Sequence, residues 1–418
     1  MTTFHPREPR GYGRREFLQR GAFGLLGLTA AGPLLAACGG SKNSFTPPTI
    51  QLARPDNPVT QPIYDSNPAI ASGLDPEAGP LKIYNWNGYV WPRILKDFGK
   101  EYGVDVQLTT FSTMDEAVQK IAAPGGVDFD VFFPTYDRIS RLVLGKLLQP
   151  LNHSYVPNLQ KTVWPALRDP FYDEGSRYTV PYTIYTTGIG YRIDHVKKTP
   201  WDFQNPYEIY WDTANKGKTY LLDDSREAPV AMLLKNGITD INTENPKDLA
   251  LAQKELLSLI GAVNIKVSTD DYTNIPEDRA WVHQMWSGSA VSAQWYRPEG
   301  TKPDVLGYWY PRDGHGAIGN DMIAVLRKAK NPVLAHLFLN YLLDAKHGYD
   351  NMVNYNGYQP PLVTINPDRL VADGVVPKNL ATAVVRESDF KKGYFELELS
   401  PNGQKLWQNM WAAFKAGI

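Results

Sequence analysis

The chain is poor in cysteine: 418 residues hold one, Cys38. A single cysteine closes no intrachain disulfide. The seven histidines are scattered, with no His-Glu-x-x-His or similar spacing, so no metal site can be built from them. Net charge is also missing. Lys and Arg number 43 against 44 Asp and Glu, a formal charge of -1, so no global field draws nucleic acid or an anionic membrane. No internal repeat is visible, and no apolar run beyond the N-terminal region is long enough to span a bilayer. Catalytic signatures fail on inspection. Gly217-Lys218-Thr219 echoes the end of a phosphate loop, but Asp212 stands where that loop needs glycine, and the motif precedes a strand instead of following one. Ser287 lacks the flanking glycines of a nucleophile elbow, since Met285 and Ser289 stand there. His336 lies on an apolar helix and reads as structural. No Ser-His-Asp or paired-acid arrangement emerges. The expectation is a chain that is not an enzyme and needs no cofactor and no metal.

Aromatic residues are plentiful: 12% of the chain, with 11 Trp and 24 Tyr, inside a hydrophobic fraction of 43%. They furnish cores, binding walls, or both. The length exceeds the ~250–300 residues at which one core stops growing, so two lobes are expected.

The N-terminus reads as an address. Arg14-Arg15 precedes Phe17-Leu18, residues 21–37 carry no charge, and the run ends Leu35-Ala36-Ala37-Cys38-Gly39. A basic start, a short apolar run and small residues before a cut site make a secretory signal. The paired arginines resemble the signal of the twin-arginine export machinery. Leu-Ala-Ala-Cys resembles the bacterial lipobox, which implies lipid on Cys38. A membrane-spanning anchor is the alternative, but the run falls short of the ~20 apolar residues required. Residues 1–38 are thus expected to be a lipoprotein signal peptide. Residues 39–80, rich in Gly, Ser, Asn and Pro without apolar period, are expected to be a flexible linker. The implied location is outside the cytoplasm, with the chain lipid-anchored to the outer face of the cell membrane or periplasmic.

From residue 81 a folded pattern begins. Residues 81–86 alternate as a strand. Pro92 opens a helix with Ile94, Leu95, Phe98 and Tyr102 on one face and Gly103 as its stop. A strand over 106–111, a helix over 114–122, a strand over 129–133 and a helix over 138–147 follow. This alternation predicts a parallel sheet covered by helices, with ligands beyond the strand carboxyl ends. Residues 178–193 are β-prone and long enough to pass from one lobe to another. Further on come a strand over 220–223, helices over 227–235, 249–260, 332–346 and 404–416, and a short strand over 322–326.

At this point the sequence resembles the spermidine/putrescine-binding proteins of ABC importers. The likeness rests on five segments in order: Ile83-Tyr84-Asn85-Trp86-Asn87-Gly88-Tyr89-Val90, residues 180–190 (VPYTIYTTGIG), Leu221-Leu222-Asp223-Asp224-Ser225-Arg226-Glu227, Met285-Trp286-Ser287-Gly288-Ser289-Ala290, and Asn356-Gly357-Tyr358-Gln359-Pro360. It covers the chain from about residue 81 to the end. The resemblance implies an α/β, two-lobed periplasmic-binding-protein fold of type II. Each lobe is a mixed sheet flanked by helices, with a hinge between: residues 81–186 and 320–366 in one lobe, 187–319 and 367–418 in the other. It implies a monomer that captures a polyamine and delivers it to an ABC permease, with no nucleic-acid partner. By matched position it implies ligand contacts at Trp86, Tyr89, Thr135, Tyr136, Asp137, Asp224, Glu227, Trp286, Asp321 and Tyr358. Departures stand at Gly88, where the family has an acid, and at Gly319, where it has tryptophan; these losses predict a wall thinner on one side. One polar contact near the C-terminus falls on either Glu396 or Glu398.

These residue types suit a polyamine. Buried ammonium groups need carboxylates, and aromatic faces attract cations while covering methylenes. Plainer readings stand beside this. Asp224-Ser225-Arg226-Glu227 also reads as a helix cap, Trp286 as core, and Asp321 as the end of a turn. Rival functions are a receptor for another solute, a ligand-sensing lipoprotein and a secreted hydrolase. An anion receptor would carry Lys and Arg at the matched positions, and a hydrolase would carry the catalytic groups missing above.

Overall fold

The computed structural model describes residues 51–123 and 128–418. The twin arginines, Cys38 and residues 39–50 of the expected linker lie outside them. Strand β1 (Leu81–Trp86) pairs in parallel with β2 (Val106–Phe111) and with β3 (Val131–Phe132). The helix Pro92–Tyr102 crosses from β1 to β2. It starts on proline, buries Ile94, Leu95 and Phe98, and stops at Gly103, whose φ of 69° suits glycine. The helix Met114–Ala122 opens on Thr113, whose hydroxyl accepts the Glu116 N–H at 3.2 Å.

Two long antiparallel strands carry the sheet across the molecule. After the two-residue β4 (Leu148–Gln149), strand β5 (Thr179–Arg192) runs for 14 residues. Beyond it lie β6 (Thr219–Leu221), β7 (Lys266–Val267), β8 (Val282–Trp286), β9 (Leu306–Trp309) and β10 (Ala317–Leu326). β10 pairs with β3 and β4 through Ala324, Val325 and Leu326, and with β5 from Ala324 opposite Thr179 to Ala317 opposite Thr187. Residues 187–192 of β5 then pair with β8 and β9. The strand order is β2-β1-β3-β10-β5-β8-β6-β7, and β6 is parallel to β7 and β8.

Burial follows the pleat. Tyr84, Phe111 and Phe132 join a cluster on one face of the first half, while Ile83 and Val131, pointing oppositely, pack with Phe98 and Phe338. The second half buries Leu221, Val282, Leu256 and Trp407, bringing the helices Pro246–Val263 and Pro401–Lys415 together. This is the mixed α/β, two-lobed fold that the sequence predicts.

Three departures from expectation bear on the site and its surroundings. β10 begins at Ala317 and not at residue 322; Gly319, Asn320 and Asp321 are poor strand formers held in place by pairing to β5. Asp321 therefore ends no turn but sits mid-strand, where the register shifts between Asp321 and Met322. The expected helix over 138–147 is a 3₁₀ turn, Tyr136–Arg138, followed by the helix Ile139–Leu144.

The third departure corrects the linker. Residues 51–80 are not a free tether but a strap laid over the first half. Ala53 and Val59 are buried in its core. Gln61 donates to the Tyr172 carbonyl at 2.9 Å and to Ser140 Oγ at 3.2 Å, and Asn67 donates to the Leu148 carbonyl at 2.8 Å. Isolated apolar residues between prolines show no period, yet Ala53 and Val59 fill sites in the core while Ile63 and Leu74 stay exposed. The amides beside them satisfy carbonyls that would otherwise lack donors.

Among the described residues no helix is long and apolar enough to cross a membrane, and no His, Cys, Asp and Glu cluster could hold a metal ion.

Candidate functional site

The chain leaves β1, β3, β6 and β8 at their carboxyl ends, and each exit contributes to one region around the middle of β5 and β10. From β1 come Trp86 and Tyr89. Trp86 rests on Phe111 with ring centroids 4.6 Å apart, and its buried indole N–H has no partner. Tyr89 is buried, and its hydroxyl lies 2.5 Å from both Asp321 Oδ2 and Thr183 Oγ1. The Tyr89 carbonyl accepts from Tyr182 Oη at 2.6 Å and Asn356 Nδ2 at 2.9 Å, which fixes the loop.

After β3, Thr135 bridges to Asp321 and donates its hydroxyl to Asp137 at 2.6 Å. Asp137 also pairs with Arg138 at 3.1 Å. Tyr136 is buried, stacked on Tyr172 and edge-on to Phe395.

Asp224 follows β6. Its Oδ1 accepts the Arg226 and Glu227 N–H groups at 2.7 and 3.0 Å, so this carboxylate serves as a helix cap. The capping reading holds for Asp224 and fails for Glu227. Glu227 turns inward and accepts the Trp286 indole N–H at 2.8 Å through Oε1, while its Oε2 is buried without a partner. Trp286, at the end of β8, is therefore a polar partner as well as a packing ring. Tyr358 packs edge-on to Tyr89 at 5.2 Å, shares a hydrogen bond of 3.1 Å with Ser289, and covers Gly288, where no Cβ would fit.

Burial sets the electrostatics. It pushes the Asp321 carboxyl up to about 7, against the Tyr89 hydrogen bond, and nearby Asp137 adds to the rise. Glu227 is pushed up to about 7 by burial, with the Trp286 hydrogen bond opposing. Glu396 is pushed well above the usual carboxylate range, first by burial and then by Glu227. No ion pair reaches Asp321, Glu227 or Glu396 among the described residues.

The structure thus separates the two C-terminal candidates. Glu396 joins the acidic group, with a buried Oε1 lacking a partner, whereas Glu398 is bonded to Arg141 outside it. Sequence reading also missed Tyr185. This residue pairs with Gly319 across β5 and β10, and its ring lies over the glycine. At Gly319, one of the departures, the space is filled from the neighbouring strand.

Ser287 and His336, discounted as catalytic groups from the sequence, have structural partners. Ser287 Oγ accepts the Thr186 N–H at 3.0 Å. His336 is wholly buried: its Nδ1 lies 2.6 Å from the Pro332 carbonyl and its Nε2 accepts from the Asn152 N–H at 3.1 Å.

Comparison with known proteins places this arrangement. The profile of the bacterial extracellular solute-binding protein family matches residues 93–375. The spermidine/putrescine-binding periplasmic protein of Escherichia coli (strain K12) is 29% identical over 266 residues, covering 63% of this chain and 72% of that protein. The putrescine/agmatine-binding protein of Pseudomonas aeruginosa is 27% identical over 352 residues, covering 81% of this chain and 92% of that one. A solved structure described as a putative spermidine/putrescine ABC transporter from Listeria monocytogenes superposes with a TM-score of 0.68 at 26% identity, covering 80% of this chain and 98% of that one. With its profile matched over most of the folded region and its site at the crossing strands of two half-sheets, the chain belongs to the bacterial extracellular solute-binding proteins, which bind and do not transform their solutes.

Proposed function

We propose that this protein captures a polyamine of the putrescine–spermidine class outside the cytoplasm and delivers it to an ABC permease. The observation that carries the reading is the acidic group without an ion pair among the described residues: Asp321, Glu227 and Glu396 gather around Tyr185, Arg226 offsets Glu227 and Glu396 only in part, and two of the buried oxygens lack any hydrogen-bond donor. Buried carboxylate oxygens without donors are costly, and an ammonium group supplies what they lack. Trp86, Tyr89, Trp286 and Tyr358 offer ring faces that attract the cation and cover the methylenes between charges. Tyr136, Asp137 and Thr135 line the approach from the first lobe, with Asp224 at its edge. The relatives named for spermidine, putrescine and agmatine support the same chemistry.

The lobes, on this reading, are residues 81–186 with 320–366 and 187–319 with 367–418. The hinge passes where β5 and β10 cross between them. Chemistry at the site is confined to binding, and transport energy comes from a separate ATPase. Titration calorimetry with putrescine and spermidine tests the ligand. Binding of either should also raise the melting temperature by mass action, by an amount that grows with ligand concentration. No heat and no shift with both would reject the polyamine and leave the receptor class standing.

The twin-arginine signal and lipidation of Cys38 complete the proposal, since acyl chains would hold the protein at the membrane where the permease lies. Cys38→Ser should move the protein from the membrane fraction to the soluble one. Unchanged retention in the membrane fraction would remove the anchor.

A further inference from the structure

We propose that Tyr185 is a specificity-determining contact of the binding site, and that Gly319 exists to admit its ring. A Cβ built on Gly319 would lie 2.9 Å from both Cζ and Oη of Tyr185, closer than packed atoms approach. The backbone offers no other reason for glycine there, because Gly319 is absent from the positive-φ positions and sits inside β10 as an ordinary paired residue. Glycine weakens a strand, so its presence is matched to the close approach of a neighbour.

Strand alternation shows what the ring faces. Thr183, Tyr185 and Thr187 project from the same face of β5. Thr183 hydrogen-bonds Tyr89, and Thr187 pairs across the sheet with Trp286, the partner of Glu227. Tyr185 stands between them, edge-on to Tyr358 with ring centroids 6.2 Å apart, and feels the charges of Asp321, Glu227 and Glu396. Its hydroxyl makes no hydrogen bond among the described residues and is missing from the buried unpartnered atoms, and the residue is half-buried, so the oxygen is left with a free acceptor site. A phenol placed there offers an oxygen to a ligand ammonium and a ring edge to its methylenes. Being on the hinge strand, it fixes how far a chain can extend between the acids. The inference rests on the polyamine reading and adds a residue to it.

The test is calorimetry of the full chain with putrescine and with spermidine, for wild type, Tyr185→Phe and Gly319→Ala. Tyr185→Phe removes only the oxygen and should weaken at least one ligand about tenfold, the scale of a hydrogen bond to a charged group. The ligand-free melting temperature should stay within about a degree of wild type, because the ring packing over Gly319 is kept. Gly319→Ala displaces the ring tip and should lower affinity and alter the putrescine-to-spermidine ratio. Wild-type affinities for both ligands in either variant overturn the inference. Wild type that binds neither ligand overturns it together with the polyamine reading, so the two failures are distinguishable.

Discussion

On the proposed reading, Asp321 and Glu227 make the site a proton acceptor as well as a cation trap. Their ordinary values lie near 4, and burial raises both to about 7. The folded, ligand-free protein therefore holds more protons than the unfolded chain between about pH 4 and pH 7. The stability this contributes is full below pH 4 and is lost as pH rises through 7. Ligand binding has the opposite sense, because an ammonium pairs with the ionised form. Polyamine affinity should fall as pH drops below 7, by up to about tenfold per unit for each proton displaced. Calorimetry at pH 6 in buffers of different ionisation enthalpy should show proton release. Glu227→Gln should reduce that release and weaken binding, while a pH-independent affinity with no proton release would contradict the charge assignment. Part of this proposed site is legible in the sequence: Trp86, Tyr89, Trp286 and Tyr358 lie on segments that carry the family resemblance, and Asp321 follows by matched position. Glu396 stood level with Glu398 in the sequence and Tyr185 was not singled out, for different reasons. Glu396 lies in a stretch without regular pattern, and only the fold shows that it faces Glu227 while Glu398 faces Arg141. Tyr185 sits in a β-prone run where an inward tyrosine looks like any core residue, until its ring is seen over Gly319.

At the scale of elements, the strap of residues 51–80 shows how composition misleads. Proline, asparagine and serine without apolar period read as disorder, yet the segment acts as a covering and capping device. Glu77 is the clearest case. The helix Pro332–Leu342 opens on Asn331, which gives no side-chain cap, and Glu77 reaches across 256 positions of sequence to accept the Val333 and Leu334 N–H groups at 3.0 and 2.9 Å. A carboxylate at a helix N-terminus satisfies orphan donors and meets the positive end of the dipole. Glu77→Ala should cost about 1 kcal/mol, the usual price of a lost cap, read as a lower denaturant midpoint with unchanged slope. An unchanged midpoint would show that the strap only covers this helix. The regular elements were easier to foresee because their signals are local: Pro92 and Gly103 bound one helix, and Glu227 opens another, as the sequence predicts. β10 was read too short because its first residues are strand only through partners 130 positions away.

At the scale of the molecule, opening and closing must act on the segment that returns before the C-terminal helix. Residues 395–400 are held from the second half by Asn242, which donates to the Phe395 carbonyl at 2.7 Å, and by Glu244, which accepts the Ser400 N–H at 2.8 Å. From the first half, Arg141, on a helix packed beneath β3 and β4, bonds the Glu398 carboxylate and reaches the Leu399 carbonyl at 3.2 Å. The strap adds Arg54, which donates to the Glu398 carbonyl at 2.9 Å. On the lobe boundaries proposed above, the Arg141–Glu398 pair would act as a latch between halves. The Glu398 side chain is 6% exposed, so parting it from Arg141 leaves a carboxylate that burial already pushes upward in pKa. Removing the latch should shift the population toward separated lobes and reduce apparent affinity by the fraction of closed protein lost, with the cleft residues untouched. Arg141→Ala or Glu398→Gln should therefore enlarge the ligand-free radius of gyration in solution scattering. Saturating polyamine should restore the wild-type value, because the ligand supplies the closing free energy that the latch no longer gives. A radius identical to wild type without ligand would mean that the crossing strands alone hold the halves together. A radius still enlarged at saturation would mean that the variant has damaged the fold and not the equilibrium between its states.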